Sequence, residues 1–188
     1  MTDNNQRAQA QKTTQARSAR VIAGLYEWME AAVFSLVVVV LLFTFVFRIV
    51  GVKGDSMMDT LYNGDRLLMS DILYQPKRGD IVIVARYIEE PLIKRVIAVA
   101  GDTLDIEEET GRIILNGKAL EESYVHYPNL RYDFKEEILI PDGYVFVMGD
   151  HRNNSKDSRD ETVGLVRESD IVGRALFRIW PPSAFGGI

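Results

Sequence analysis

The stretch Asp142-Gly143-Tyr144-Val145-Phe146-Val147-Met148-Gly149-Asp150 reads as one extended strand between two turns. Its five central residues are apolar, two of them β-branched and two aromatic, a composition that suits a pleated, buried surface. The Asp-Gly and Gly-Asp pairs at its ends are turn formers, glycine for its backbone freedom and aspartate for its side-chain bonds to nearby amides. Gly-Asp recurs at 54–55, 64–65, 79–80 and 101–102, and several of these copies border another apolar run. Working outward, the same punctuation predicts strands over 66–69, 81–87, 92–100, 103–106, 112–115 and 171–180. Thr110-Gly111 and Asn116-Gly117 suit hairpin turns. Helical character in this part of the chain is confined to a turn near 167–170. The pattern predicts a mainly β fold, an antiparallel core of partly closed sheets. Residues 101–142, with Glu107-Glu108-Glu109 and the polar stretch 124–132, have a different texture and read as a β insertion. The core is then 51–100 together with 143–182.

The N-terminus follows other rules. Residues 1–20 are rich in Gln, Thr and Ala, carry Arg7, Lys12, Arg17 and Arg20 against Asp3, and cannot build a core; they read as a disordered tail. From Ala31 to Phe47 no residue is charged. Seventeen residues span about 25 Å as a helix, a little short of the roughly 30 Å hydrocarbon layer. Arg48 can snorkel outward at one end, and Tyr26 and Trp28 suit the opposite interface. A membrane anchor over 21–50 with a single transmembrane helix is expected. A buried core helix would show a polar face where this run has only Ser35 and Thr44. A cleaved leader would need small residues after the run, where Phe47-Arg48-Ile49-Val50 is bulky. Basic residues before the span place the N-terminus in the cytosol. The remainder, 49–188, carries 17 basic and 24 acidic side chains and lies outside.

Composition narrows the chemistry. The 188 residues include no cysteine and two histidines, His126 and His151, and carry a net charge of −5. That excludes disulfides, thiol nucleophiles, iron–sulfur clusters and cysteine-ligated zinc, and leaves too few histidines for a histidine-rich metal site. The acidic balance argues against nucleic acid as a partner. Gly54-Asp55-Ser56-Met57-Met58-Asp59-Thr60-Leu61 presents a serine among apolar residues shortly after the anchor, although a serine beside Gly-Asp also suits a plain turn. A serine nucleophile needs a base. His151 lies in a polar, charged loop that suits a solvated or structural histidine. Lys94, in Leu92-Ile93-Lys94-Arg95-Val96-Ile97, shares a strand face with Leu92, Val96 and Ala98 by alternation, so desolvation should lower its pKa. Arg95 has an apolar face too, but does not deprotonate at working pH. Asp150, Arg152, Asp157 and Arg159 alternate in sign and suit a salt-bridged loop pinning strands together.

Taken in order, Gly54-x-Ser56-Met57-Met58-x-Thr60-Leu61, Arg78-Gly79-Asp80-Ile81-Val82, Lys94-Arg95-Val96-Ile97 and Gly149-Asp150-x-Arg152-x-Asn154-Ser155-x-Asp157-Ser158-Arg159 resemble the type I signal peptidases of bacteria. The resemblance implies a β catalytic core with a β insertion and a membrane-anchored serine endopeptidase that removes signal peptides from exported preproteins. It assigns Ser56 as nucleophile and Lys94 as general base. It also implies that Ser155 holds the base and that Asp150, Arg152, Asp157 and Arg159 are structural charges. No metal or cofactor is required. Substrates would carry small side chains at the −1 and −3 positions. Met57, Met58, Leu61 and Ile93 would line their pockets, dip into the lipid surface or pack in the core. The implied setting is the bacterial cell membrane, single-pass, near the secretion translocon, with preproteins and the bilayer as partners.

The chain departs from the family pattern in three places. Asp59 stands where a proline is usual, Gly54 where some members have a serine that helps hold the oxyanion, and His151 where asparagine is common. Three other readings stay open on sequence: a Ser56–His151–Asp150 hydrolase, a self-cleaving Ser–Lys repressor lacking its DNA-binding segment, and a tethered adhesin or chaperone without catalysis.

Overall fold

A computed structural model describes residues 24–44, 46–85, 91–125 and 137–188. The predicted tail over 1–20, the last two residues of the strand predicted over 81–87 and the polar stretch beyond Val125 lie outside the described residues. The helix and the residues from Val46 to Ile188 form two separate compact units.

Among the described residues the first unit holds one helix, α1 (Gly24–Thr44), of 21 residues, about 31 Å long and so long enough to cross the hydrocarbon layer. It begins seven residues before the uncharged run and ends before Phe47. None of its most apolar window is buried, unlike a core helix. Valine-rich runs are mediocre helix formers in water, but in lipid the backbone must satisfy its own amides, which a helix does. The Thr44 hydroxyl donates back to the Val40 carbonyl at 2.7 Å, so it needs no water.

The second unit is mainly β and antiparallel. Its strands are β1 (Arg48–Gly51), β2 (Arg66–Ser70), β3 (Ile81–Val84), β4 (Leu92–Val99), β5 (Thr103–Ile106), β6 (Ile113–Leu115), β7 (Lys118–Ala119), β8 (Ile138–Leu139), β9 (Tyr144–Met148), β10 (Val166–Arg167), β11 (Ile171–Trp180) and β12 (Gly186–Gly187). Eight of them form one sheet in the order β1-β2-β11-β3-β4-β9-β10, with β12 beside β11. The other four form a second sheet, β7-β6-β5-β8, built from residues between Thr103 and Leu139. Short 3₁₀ turns occupy Arg152–Asn154, Glu168–Asp170 and Pro182–Ala184. The Met58–Asp59 and Trp180–Pro181 peptides are cis.

Arg48 is not the helix end that the sequence suggested. It belongs to β1, opposite Met69 of β2, and its guanidinium lies 3.7 Å from the Asp71 carboxylate. No glycine or proline separates the apolar helix from this equally apolar strand, so the sequence offers no boundary there. Pairing with β2 supplies one.

Strands β3 and β4 are central and buried on both faces, which explains their unbroken hydrophobic runs. Ile81, Ile83 and Ile93 pack with Met57, Leu61, Leu67 and Met69, while Val82, Val84 and Val96 pack with Val145, Val147 and Val166 on the other side. Leu92 joins the second group, so Lys94 shares its face with Leu92 and Val96 as alternation requires. Ala98 does not. The register of β4 against β9 shifts between Val96 and Ala98, and Ile97 and Ala98 both pack in a third cluster against Leu104, Phe146 and Met148. Asn116 and Gly117, both at positive φ, make the tight turn between β6 and β7.

Strand β11 is long because it serves two neighbours, β3 along its first residues and β2 along the rest. At the crossover a Cβ on Gly173 would lie 2.6 Å from Met69 Cε and 2.8 Å from the Ser70 carbonyl oxygen. Gly173→Ala therefore destabilises the second unit by about 1–3 kcal/mol, measured as a lower urea midpoint with an unchanged slope. Gly186→Ala, with open space at its Cβ, is the control.

Candidate active site

The loop between β1 and β2 carries Ser56 and is pinned from below. Met57 and Leu61 are buried in the core, and the Leu61 amide donates to the Met57 carbonyl at 2.8 Å, closing a turn around the serine. Leu61 is fully buried, so its place is in the core and not on the cleft wall. Ser56 stays half-exposed above them. A cleft of about 50 Å³ opens there, with 52–54, Ser56 and Met57 on one side and 91–94 on the other. Ile93 and Met57 line it, and Met58 is not among its lining residues.

Lys94 comes from the first half of β4, and its Nζ donates to Ser56 Oγ at 2.6 Å. The lysine is 2% exposed. Desolvation pushes its pKa from the ordinary 10.5 down to about 8; the Asp157 and Asp150 carboxylates work the other way, and the Arg159 charge assists the lowering. About a tenth of the amine is then neutral at pH 7. When it is neutral, the bond reverses, with the serine hydroxyl donating to the lone pair.

Both opposing carboxylates are themselves neutralised. Arg95, one residue on and so directed to the opposite face, grips Asp150 with two bonds, Nε to Oδ1 at 2.9 Å and Nη2 to Oδ2 at 2.7 Å. Asp150 is fully buried and also accepts from the Thr60 hydroxyl, tying the serine loop to the segment after β9. Asp157 is gripped by Arg159 in the same bidentate way and accepts the Gly149 amide at 2.9 Å. Burial alone would raise the Asp157 carboxyl; Arg159, with the Ser155 hydroxyl and the Gly149 amide, outweighs it and holds the group below the usual carboxylate range. Ser155 Oγ is buried and, beyond that loose approach to Asp157, has no hydrogen-bond partner.

Gly149 differs from the other Gly-Asp glycines. Gly54, Gly64, Gly79 and Gly101 all sit at positive φ in turns, but Gly149 is selected by contact. A Cβ there would collide with Ser155 Oγ and the Ser56 carbonyl oxygen.

Two participants, Glu122 and Tyr124, went unread in the sequence, and a third, Ser158, stood in the last motif without a role. The buried Arg152 donates to the Glu122 carboxylate through Nη1 at 2.8 Å and Nη2 at 2.5 Å. Tyr124 lies under the Arg95 guanidinium, 4.0 Å from its ring centroid, and donates to Glu122 at 2.9 Å. Burial, reinforced by the Glu122 charge, pushes the Tyr124 phenol up, so it remains a donor. Ser158 bonds β9 twice, amide to the Val147 carbonyl and hydroxyl from the Val147 amide. Glu122 and Tyr124 left no local signal, because Glu121-Glu122-Ser123-Tyr124 reads as a solvated stretch and their partners lie about 30 residues away. Asp59 is exposed, accepts from the Tyr62 hydroxyl at 3.4 Å and does not line the cleft.

The Ser56–His151–Asp150 arrangement is not assembled. Asp150 is occupied by Arg95 and Thr60, and the His151 ring faces the Asp55 carbonyl, with Nδ1 at 3.3 Å.

Residues 25–180 match the family model described as signal peptidase, peptidase S26. The chain belongs to the signal peptidase family. As a member it is an enzyme, a serine endopeptidase. A probable signal peptidase I-1 of Synechocystis is 38% identical over 81% of each chain, and signal peptidase IB of Staphylococcus aureus is 32% identical over 86% of this chain and 92% of its own. The crystal structure of a signal peptidase I from Enterococcus faecalis V583 is 25% identical, with a TM-score of 0.44 and coverage of 54% of this chain and 97% of that one.

Two stability predictions follow from the signal peptidase's charges. Between pH 8 and 10.5 the unfolded chain holds a proton on Lys94 that the folded one has released, so stability rises with pH across that window, by about 3 kcal/mol in all. Lys94→Met removes this rise and is the more stable protein at pH 7, read from urea titrations at several pH values. Glu122→Ala leaves the Arg152 guanidinium buried and unpaired, and destabilises by about 3–5 kcal/mol, read in the same way.

Proposed function

We propose that this chain is a membrane-anchored signal peptidase that cleaves signal peptides from exported preproteins through a Ser56–Lys94 dyad. The observation that carries this reading is the buried Lys94 amine at 2.6 Å from Ser56 Oγ, the one base within reach of the serine among the described residues.

Neutral Lys94 takes the Ser56 proton as the oxygen attacks the scissile carbonyl. The Ser56 amide stabilises the resulting oxyanion. Lys94 then gives the proton to the leaving amine, and the new N-terminus departs, leaving an ester on Ser56. The same amine deprotonates a water that hydrolyses the ester and returns the serine. Ser155, packed against Gly149 beside the dyad, limits the positions open to the amine. Asp150, Arg152, Asp157 and Arg159 hold the loop that forms this wall, and burial of Lys94 outweighs the pull of the two carboxylates on it.

Substrate docking as an added strand is supported by the pairing pattern. Strand β4 pairs with β3 over Leu92–Arg95 but with β9 only from Arg95 onward, so 92–94 offer open main-chain groups. The opposite cleft wall, 52–54, continues from the edge strand β1. The cleft is small, which favours small side chains next to the cut. Met57 and Ile93 are the two apolar side chains best placed to select them. In this reading the catalytic core is 51–100 with 143–182, and 101–142 is inserted between its halves, bringing Glu122 and Tyr124 to the charge network.

The helix α1 serves as the anchor, with the N-terminus in the cytosol and the second unit outside, close to where the translocon delivers its products. The test is cleavage of a preprotein by the detergent-solubilised protein. Ser56→Ala and Lys94→Ala each lose activity by at least about a thousandfold, and wild-type kcat/KM rises with pH to a plateau with a midpoint near 8. Cleavage that survives both substitutions overturns the dyad.

A further inference from the structure

His151 touches the serine turn twice. Its main-chain amide donates to the Ser56 carbonyl at 3.0 Å, and its ring Nδ1 lies 3.3 Å from the Asp55 carbonyl oxygen. A carbonyl oxygen can only accept, so the ring is held with its proton on Nδ1. The Asp55 carbonyl also accepts the Met58 amide at 3.2 Å, closing the turn from its other end. The two carbonyls that flank the serine are thereby tied to one residue of the segment after β9.

The consequence lies in the peptide plane between Asp55 and Ser56. That peptide is trans, and in a trans peptide the carbonyl and the following N–H are rigidly coplanar and point in opposite directions. Whatever fixes the Asp55 carbonyl also aims the Ser56 N–H. This N–H donates no hydrogen bond within the described residues, and Ser56 lines the cleft. Gly54, at φ +77°, brings no side-chain donor to the same place, and its own amide is committed to Asn63 Oδ1 at 3.2 Å. Oxyanion stabilisation therefore falls on an amide whose direction is set from behind.

We propose that His151 is a positioning residue for the oxyanion hole: its ring hydrogen bond to the Asp55 carbonyl locks the peptide plane that presents the Ser56 N–H. The role rests on the reading of Ser56 as nucleophile. It makes no use of the histidine as a base. An asparagine at this position can donate its amide N–H to the same carbonyl, and an alanine cannot.

The test is preprotein cleavage by the full-length protein in detergent, with kcat and KM separated and folding followed by thermal melting. His151→Ala keeps both main-chain groups and loses only the ring. Its kcat falls by about tenfold to a hundredfold, while KM stays within about twofold and the midpoint of the pH profile is unmoved, because an interaction made only in the transition state has been weakened. His151→Asn recovers kcat to within about threefold of wild type. His151→Leu, which keeps bulk without a donor, carries the same expectation as alanine if alanine impairs folding. The role is overturned by wild-type kcat in the folded alanine or leucine variant, by an asparagine variant as impaired as alanine, or by a loss confined to KM. An active Ser56→Ala protein would instead overturn the dyad reading, which separates the two failures.

Discussion

For the proposed dyad to work, Lys94 has to lose a proton near neutrality while two carboxylates, Asp150 and Asp157, lie close enough to oppose that loss. Burial supplies the driving force, but burial beside unpaired negative charge would have kept the ammonium protonated. The surrounding structure meets this condition by giving each carboxylate its own guanidinium, Arg95 for Asp150 and Arg159 for Asp157. Each pair is bidentate, so the carboxylates are satisfied by geometry and by charge, and their remaining pull on the amine is outweighed by its burial. The loop after β9, the serine turn and the segment around Glu122 are all fastened to these pairs. Thr60 reaches Asp150, Arg159 holds the Arg152 carbonyl, and Glu122 closes on Arg152.

Much of this could be read from the sequence because the relevant signals are local. Turn residues at the ends of apolar runs located β2, β5, β9 and β11 within a residue or so, and alternation placed Lys94 with Leu92 and Val96. What escaped was non-local or unpunctuated. Strand β1 follows the apolar helix with no turn residue between them, and only its pairing with β2 reveals it. The bulge in β4 moved Ala98 off the face that strict alternation assigns. Glu122 and Tyr124 meet partners far along the chain, and nothing around them looks buried. The alternating signs of Asp150, Arg152, Asp157 and Arg159 suggested a salt-bridged loop pinning strands together, but not the partners: Asp157 and Arg159 pair within the loop, whereas Asp150 and Arg152 reach out to Arg95 and Glu122.

The repeated Gly-Asp pair illustrates why a motif must be read by its surroundings. At four positions the glycine supplies a left-handed turn, and at three of these the aspartate beneath is buried against an arginine: Asp65 with Arg178, Asp80 with Arg174, Asp102 with Arg78. At Gly149 the turn is not the reason. There the absent side chain leaves room for the Ser56 carbonyl and the Ser155 hydroxyl to approach the same backbone. The same two letters serve chain reversal in one place and close packing in another, and only long-range contacts tell them apart.

The open half of β4 carries a consequence for how much information the enzyme reads. Main-chain groups are common to every polypeptide, so a substrate added at these three residues of free strand edge, as proposed, would be recognised by conformation and not by sequence. The small cleft adds a test of side-chain size and little else. If substrates dock there as proposed, the enzyme discriminates among them by whether a segment can lie extended along this edge. Identity of the residues matters only beside the bond to be cut. Diverse sequences with one shared physical character then pass through a single site.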